Sequence, residues 1–355
     1  MNLSRMKILF VLETRADAGS IHAVSSYIRA GDQLGHFMAL YGCQHPDLPT
    51  VRFSSELKIF DYVVFIVESG LHGMSGLRFA HILSSVPEQR RVIIDTDGMY
   101  SPLTRVEGYD RNHSTEQARS DWLAFHDPLA KRVFQTRLEP DETAGTLPFF
   151  GFDETLAVSP QASPPKRFDI VQVGHNWWRW QDVKHRLLPA LELIRAQLDG
   201  VCFVGCWWDA PPPWAAAVGL EPAFRVEPGC FERLRIEIRP PVPYRDVIRT
   251  MSEGRVNLMT QRPLFRQLKI LTAKYFEIFC ADTVPLVLLD PGHAEAIYGP
   301  AGRELALHQN LEEKLGDALR RPQEYKELAG QVRSHLAERH SYRQRVRELV
   351  TALES

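Results

Sequence analysis

Short apolar runs alternate with helical spacing along most of the chain. Residues 7–12 (KILFVL), 37–40, 62–67 and 91–95 (RVIID) are rich in branched and aromatic side chains, the pattern of strands buried on both faces. Helical spacing fills 21–34 and 77–84, and runs at 133–136 and 147–150 read as the last strands of this half. Residues 159–166 (SPQASPPK) then break the pattern, with three prolines among small polar residues, as a linker does. Beyond it the alternation restarts. Strands are expected at 168–173 (FDIVQV), 201–204 (VCFV), 235–238, 255–259 (RVNLM) and 285–289, and helices at 183–198, 245–253 and 269–281. The end is helical over 311–353, with a break at Pro322. Buried strands separated by helices predict parallel sheets wrapped on both faces, so the fold class is α/β with two doubly wound domains. The expected division is 1–155, a linker at 156–167, 168–335, and a last helical piece at 336–355. Ligands of open α/β sheets bind beyond the carboxyl ends of strands, which places the expected site where the two sheets face each other.

Composition narrows the function. The 355 residues, 44% hydrophobic and 24% charged, suffice for two cores. Lys and Arg number 42 against 44 Asp and Glu, a net charge of −2, so no nucleic-acid partner is expected. No apolar run nears the roughly 20 residues that cross a bilayer, and the start has no signal-peptide core. Five scattered cysteines read as reduced thiols, and a cytoplasmic location is expected.

Four stretches could carry chemistry. Lys274 and Glu277, at i and i+3, share one face of the helix expected at 269–281. They are either a solvent-facing ion pair or a site at a helix start, whose free N–H groups favour phosphate. Gly174 is followed by HNWWRW (175–180), and Gly205 by Trp207-Trp208-Asp209; six of the seven tryptophans fall within 177–214. Such rings stack on sugars or bases, with Arg179 as a phosphate clamp and Lys184 and Arg186 behind it, or else they form a core cluster. In the loop 13–22, Ala18-Gly19-Ser20 is expected to bend the chain and cap the next helix through Ser20. His22, in its first turn, has a pKa range suited to taking a proton, with Asp17 and Glu13 as further carboxylate candidates. Asp95-Thr96-Asp97-Gly98 ends a strand; it reads as a metal-holding pair, a hydrogen-bonded turn, or a sugar or acceptor contact through Asp97. The polar stretch 98–125 is either an acceptor-binding insertion or a surface loop.

The run Lys274-x-Phe276-Glu277-x-x-x-Ala281 ahead of an apolar strand resembles the nucleotide-binding segment of GT-B glycosyltransferases, most of all the spore-maturation-protein-like, family-4-like group. Three further stretches fit in order: Asp169 to Gly174, Pro241-Val242-Pro243-Tyr244 ahead of a helix and Val256-Asn257-Leu258-Met259, and the tail from His340 to Val346. The resemblance spans residues 168–350 and is weak over 1–150. It implies two Rossmann-like domains facing across a hinged cleft, with the last helix crossing back to the first. The implied activity moves a sugar from a nucleotide-diphosphate donor, such as a UDP-sugar, to an acceptor, with no metal required. Glu277 would bind ribose hydroxyls and Lys274 the diphosphate, with Tyr275 and Phe276 in the same segment. Gly174 would let the backbone approach phosphate, and Val242 and Tyr244 would lie beside the base. Gly19 and Ser20 would face the sugar and diphosphate, His22 or Asp17 would act as base, and Trp177, Trp178 and Asp97 would contact sugar or acceptor. The family's glycine after the Lys274 helix is Asp282 here. A sugar-nucleotide epimerase and a non-catalytic nucleotide-binding or scaffold protein are the alternative readings.

Overall fold

The computed structural model describes residues 5–13, 18–68, 76–101, 124–140, 144–213, 215–216, 221–224 and 226–355. The chain forms two compact units. Unit 1 comprises Met1–Gly151, Leu268–Ala273 and His340–Ser355; unit 2 comprises Phe152–Gln267 and Lys274–Arg339.

Unit 1 is built on a parallel sheet of β1 (Lys7–Val11), β2 (Phe37–Tyr41), β3 (Phe53–Ser54), β4 (Tyr62–Val67), β5 (Arg91–Asp95), β6 (Arg132–Gln135) and β7 (Gly145–Thr146). Their order is β3-β2-β1-β4-β5-β6-β7, with Phe10 opposite both Leu40 and Val64. One face buries Leu9, Val11, Phe65, Val67 and Ile93. Helix α1 (Gly19–Gln33) packs on this sheet and against the helix Tyr342–Glu354. The strand expected at 147–150 is absent from the ladder. The pairing stops at Thr146, and Pro148, which has no N–H to donate, follows two residues later.

Unit 2 carries β8 (Phe168–Val173), β9 (Val201–Val204), β10 (Ile236–Arg239), β11 (Gly254–Met259) and β12 (Val284–Val287) in the order β10-β9-β8-β11-β12, all parallel. Val171 lies opposite Cys202 on one side and Asn257 on the other. Every residue of β8, β9 and β12 is buried, including the polar Asp169 and Gln172 of β8.

Three helical expectations change. The helix after β8 begins at Trp180, and Val183–Leu187 form a π-turn within it. The helix expected at 269–281 is confined to Lys274–Cys280; a separate helix, Pro263–Leu268, precedes it and ends at a left-handed Lys269 (φ +55°). The intervening segment joins unit 1, where Leu271 N–H donates to Thr136 O (2.7 Å) and Thr136 Oγ1 donates to Leu271 O (3.3 Å). The terminal helix breaks a second time: Ser341 caps the helix Tyr342–Glu354, its hydroxyl accepting from Gln344 N–H. The proline-rich stretch is held to unit 2 at both ends. Val158 N–H donates to Cys280 O at 2.8 Å, and Lys166 Nζ donates to Ser252 O at 2.8 Å.

Candidate functional site

In unit 2 the strand order reverses direction between β8 and β11, and ligands of open α/β sheets bind beyond the strand carboxyl ends at such a point. Gly174 follows β8 and Gly205 follows β9. A Cβ on Gly205 (φ +150°) would lie 2.4 Å from the Gly174 carbonyl oxygen, so only glycine lets the two loops approach so closely. Hydrogen bonds lace these loops together. Trp208 Nε1 donates to Gly174 O (2.7 Å), Cys206 N–H to His175 Nδ1 (2.9 Å), and Asn176 Nδ2 to Trp207 O (2.9 Å). The lacing holds Trp178 (φ +56°) and Trp207 (φ +68°) in left-handed backbone, which costs a bulky residue about 1–2 kcal/mol each. Strain of this kind collects at functional sites.

Arg179 crosses from the first loop to the end of β11. Its Nη1 donates to His175 O (2.6 Å) and its Nε to Thr260 O (3.3 Å), so both partners are neutral carbonyls. Burial, and then the positive charge of Arg262 nearby, push its pKa below the ordinary arginine value. Arg262 itself lies between two rings, 5.5 Å from the centre of Trp177 and 4.5 Å from that of Phe265, a cation–π sandwich that fixes its direction. Arg266, one turn on, is neutralised by Asp182 at 2.5 Å. Arg179 and Arg262 thus place two like charges near one another at a strand-end switch point. Gln172 Nε2, donating to Thr260 Oγ1 at 3.2 Å, ties β8 to the same end of β11.

Lys274 Nζ donates to Glu277 Oε2 at 2.7 Å, and the Glu277 side chain is only 7% exposed. The two residues expected to serve phosphate and ribose separately therefore act on each other. Among the described residues no donor reaches the other Glu277 oxygen, which keeps its acceptor capacity. The helix that carries the pair begins at Lys274 rather than at 269, after the excursion of Leu268–Ala273 into unit 1. Lys274 lines a small pocket with Val173, Met251, Asn257, Thr260 and Ile278. The pocket brings the pair to the same strand ends as Arg179.

Other expected residues are redistributed. Tyr275 and Phe276 are enclosed in the core, at 0% and 1% exposure, because they occupy the inward face of their helix; Tyr298 Oη donates to Tyr275 O. The tryptophan cluster divides. Trp178, Trp180 and Trp208 are buried, whereas Trp177 and Trp207 are half-buried and meet Phe224 at 5.0 and 4.8 Å between ring centres. Trp214 lies outside the described residues. Lys184 pairs with Glu227 and Arg186 donates to Leu307 O, so both are spent away from the arginine pair. Val242 and Tyr244 are half-buried at the start of the helix Tyr244–Met251, whose far end, Met251, lines the pocket. Asp282 does not open the turn that a glycine would; its carboxylate lies 3.3 Å from Lys166 Nζ and 3.4 Å from Lys326 Nζ.

In unit 1 the corresponding switch point lies between β1 and β4. Ser20 is not the helix cap. Ala18 is, and Ser20, inside α1, donates from Oγ to Glu68 Oε1 at 2.8 Å, joining the loops after β1 and β4. Gly19 opens α1 and His22 is half-buried in its first turn; Asp17 lies outside the described residues. Asp95 is fully buried and accepts from Asp97 N–H, Tyr100 N–H and Gln135 Nε2 at 3.2, 3.0 and 2.9 Å. It therefore holds the turn, and burial raises its pKa against those hydrogen bonds. Asp97 remains half-buried at that turn. Most of the polar stretch 98–125 lies outside the described residues.

The residues missed by sequence reasoning are Thr260, Arg262 and Glu68. Thr260 and Glu68 directly follow a strand's carboxyl end, the same positional signal that singled out Gly174, whereas Arg262 lies three residues beyond β11.

Residues 184–351 match the family model described as glycosyl transferase-like. Among curated proteins, none matches this chain by sequence. Three solved structures share the architecture over nearly the whole of both chains. A mutant of T4 phage BGT in complex with UDP-glucose aligns at TM-score 0.57 and 13% identity, covering 98% of this chain and 99% of that one. T4 phage BGT with UDP and Mn2+ aligns at 0.54 and 13%, with the same coverage. An α-glucosyltransferase in complex with UDP and a 13-mer DNA aligns at 0.59 and 11%, covering 99% and 100%. Residues 184–351 thus resemble a glycosyl transferase-like domain, and the chain has the two-sheet GT-B fold of these structures.

Proposed function

We propose that this protein transfers a sugar from a uridine-diphosphate-type donor to a hydroxyl acceptor, with unit 2 holding the donor. The observation that carries the reading is the pair of arginines, Arg179 and Arg262, at the β8–β11 switch point. A diphosphate fits them because its negative charge offsets the desolvation of Arg179 and the like charge of Arg262, through charge-assisted hydrogen bonds. In the reaction the acceptor oxygen bonds to the anomeric carbon and gives up its proton. The bond from that carbon to the diphosphate oxygen breaks, and the nucleoside diphosphate leaves with the additional negative charge. Fixed cations facing that oxygen stabilise the transition state more than the ground state. Glu277, through its remaining oxygen, is the ribose acceptor in this reading, and His22 on α1 is the base.

The order of segments from Asp169 to Val346 favours the spore-maturation-protein-like group. The arginine pair supplies the positive charge that a divalent ion would otherwise bring, so turnover is proposed to persist in chelator. The net charge of −2 favours an acceptor other than nucleic acid, although one structural relative is bound to DNA. A cytoplasmic location fits a chain in which, among the described residues, no helix is long and apolar enough to cross a membrane.

Calorimetry with UDP, GDP and ADP, followed by turnover of the bound donor, tests the reading. Wild type is expected to bind a nucleoside diphosphate. Arg179→Ala should weaken it about 10–100-fold, the loss of a charge-assisted contact. His22→Ala should lower kcat with that affinity kept. Absence of diphosphate binding, or equal binding by Arg179→Ala, would overturn the proposal.

A further inference from the structure

The pocket beside Lys274 contains a polar group that the preceding argument leaves unused. Asn257, on β11, is 1% exposed, and among the described residues neither its Nδ2 nor its Oδ1 has a hydrogen-bond partner. A strand position buried on both faces ordinarily carries Val, Ile or Leu, as its neighbours Val256 and Leu258 do. A buried amide with both functions unused is costly, and native structures retain few of them. Asn257 lines the same small pocket as Lys274 and Thr260, and that pocket has room for about one water-sized group. An oxygen seated there could accept from Asn257 Nδ2 or the Lys274 ammonium and donate to Asn257 Oδ1, a combination only a hydroxyl or water offers.

We propose that Asn257 and Lys274 form a seat for one hydroxyl-sized oxygen, which makes Asn257 a positioning residue for the Lys274–Glu277 pair in the donor site. The inference rests on the donor-site reading of unit 2. The oxygen belongs either to an ordered water or to the ribose 2′-hydroxyl of the donor, and the chemistry required of it is the same. Either way, the seated oxygen restrains the ammonium that Glu277 grips at 2.7 Å, and so sets the direction of the carboxylate.

Asn257→Leu keeps the volume and removes both polar functions. A packing role predicts unchanged ligand affinity and an unchanged or raised Tm, because an apolar isostere relieves the unpaired amide. The proposal predicts a similarly unchanged or raised Tm together with about tenfold weaker UDP binding by calorimetry. Weakening of UDP and 2′-deoxy-UDP alike identifies the oxygen as water. Weakening of UDP alone identifies the ribose hydroxyl. If Asn257→Leu binds UDP as wild type does while Arg179→Ala does not, the seat is refuted and the donor site stands. If Arg179→Ala also binds normally, the donor site itself fails. Should Asn257→Leu not fold, Asn257→Ala and Asn257→Ser open the same space and differ by one hydroxyl. Tighter UDP binding by the serine variant supports the seat, and equal binding overturns it.

Discussion

At the scale of single residues, the candidate site depends on how closely two strand-end loops approach. Gly205 sets that distance: an added Cβ would lie 2.4 Å from the Gly174 carbonyl oxygen, a backbone atom that cannot swing aside as a flexible side chain could. Gly205→Ala is therefore expected to push the two loops apart, at about 1–3 kcal/mol, the usual cost of overpacking. A melting experiment should show Tm lowered by several degrees, and UDP affinity should fall as Arg179, anchored on His175 O, moves with its loop. Unchanged melting and binding would mean that the loops have slack the geometry does not show. These glycines were legible in the chain, since each follows an apolar run. Arg262 was not. Its importance comes from lying between Trp177 and Phe265 within reach of the Arg179 charge, and Trp177 is 85 positions away in sequence. Lys274 and Glu277 were legible as a pair, but their mutual ion pair was one of two readings that i, i+3 spacing allows.

At the scale of elements, the strands were read more faithfully than the helix ends. Runs such as FDIVQV and VCFV can only be buried strands of a wrapped sheet, and they lie within a residue of where they were expected. The stretch 269–281 has good helical spacing, but tertiary contacts override it. Lys269 turns left-handed and pairs with Glu139 at 2.7 Å, and Leu271 is hydrogen-bonded to Thr136. The proline-rich stretch likewise has a linker's composition and yet is docked, through Lys166 onto Asp282. Burial alone would raise the Asp282 pKa, but the Ser163 hydroxyl, Lys166 and Lys326 together bring it below the ordinary aspartate value of 3.8. A depressed carboxylate contributes stability that is complete above its unfolded pKa and is lost as pH falls through the folded one. Asp282→Asn should thus lower stability near neutral pH, by about 1 kcal/mol given that the lysines are partly solvated. The difference from wild type should shrink once pH falls below 3.8 and through the folded pKa, as the aspartate becomes neutral like the asparagine. A gap in Tm that stays constant from pH 7 to pH 2.5 would show that the charge of Asp282 does not hold this segment.

At the scale of the molecule, the alternation of strands and helices revealed two parallel sheets, but not which strands neighbour one another or where the chain returns. Strand order depends on crossovers that leave no local trace, and the return of His340–Ser355 to unit 1 includes a buried charge, Arg345. Arg345 is 1% exposed on the side-chain scale. Its Nε donates to Phe150 O at 2.9 Å, its Nη1 to Glu348 Oε2 at 2.6 Å, and its Nη2 meets His340 Nδ1. Tyr342 packs edge-on to Tyr27 of α1, which stacks on Phe149, so the terminal helix completes the aromatic core of unit 1. Arg345→Met keeps much of the stem's volume and leaves the Phe150 carbonyl and Glu348 without their cation. Breaking a buried pair from one side costs about 3–5 kcal/mol, and the partial exposure of Glu348 argues for the lower end. Because every partner named here lies in unit 1, the loss should fall on unit 1. Calorimetry with and without UDP separates the cases, since a ligand raises the melting of the unit that binds it. Arg345→Met is expected to lower the transition that UDP leaves unmoved, with the UDP-responsive transition and the UDP affinity retained. If it lowers the UDP-responsive transition instead, the terminal helix supports the donor-binding unit, and the assignment of that helix to unit 1 alone is wrong.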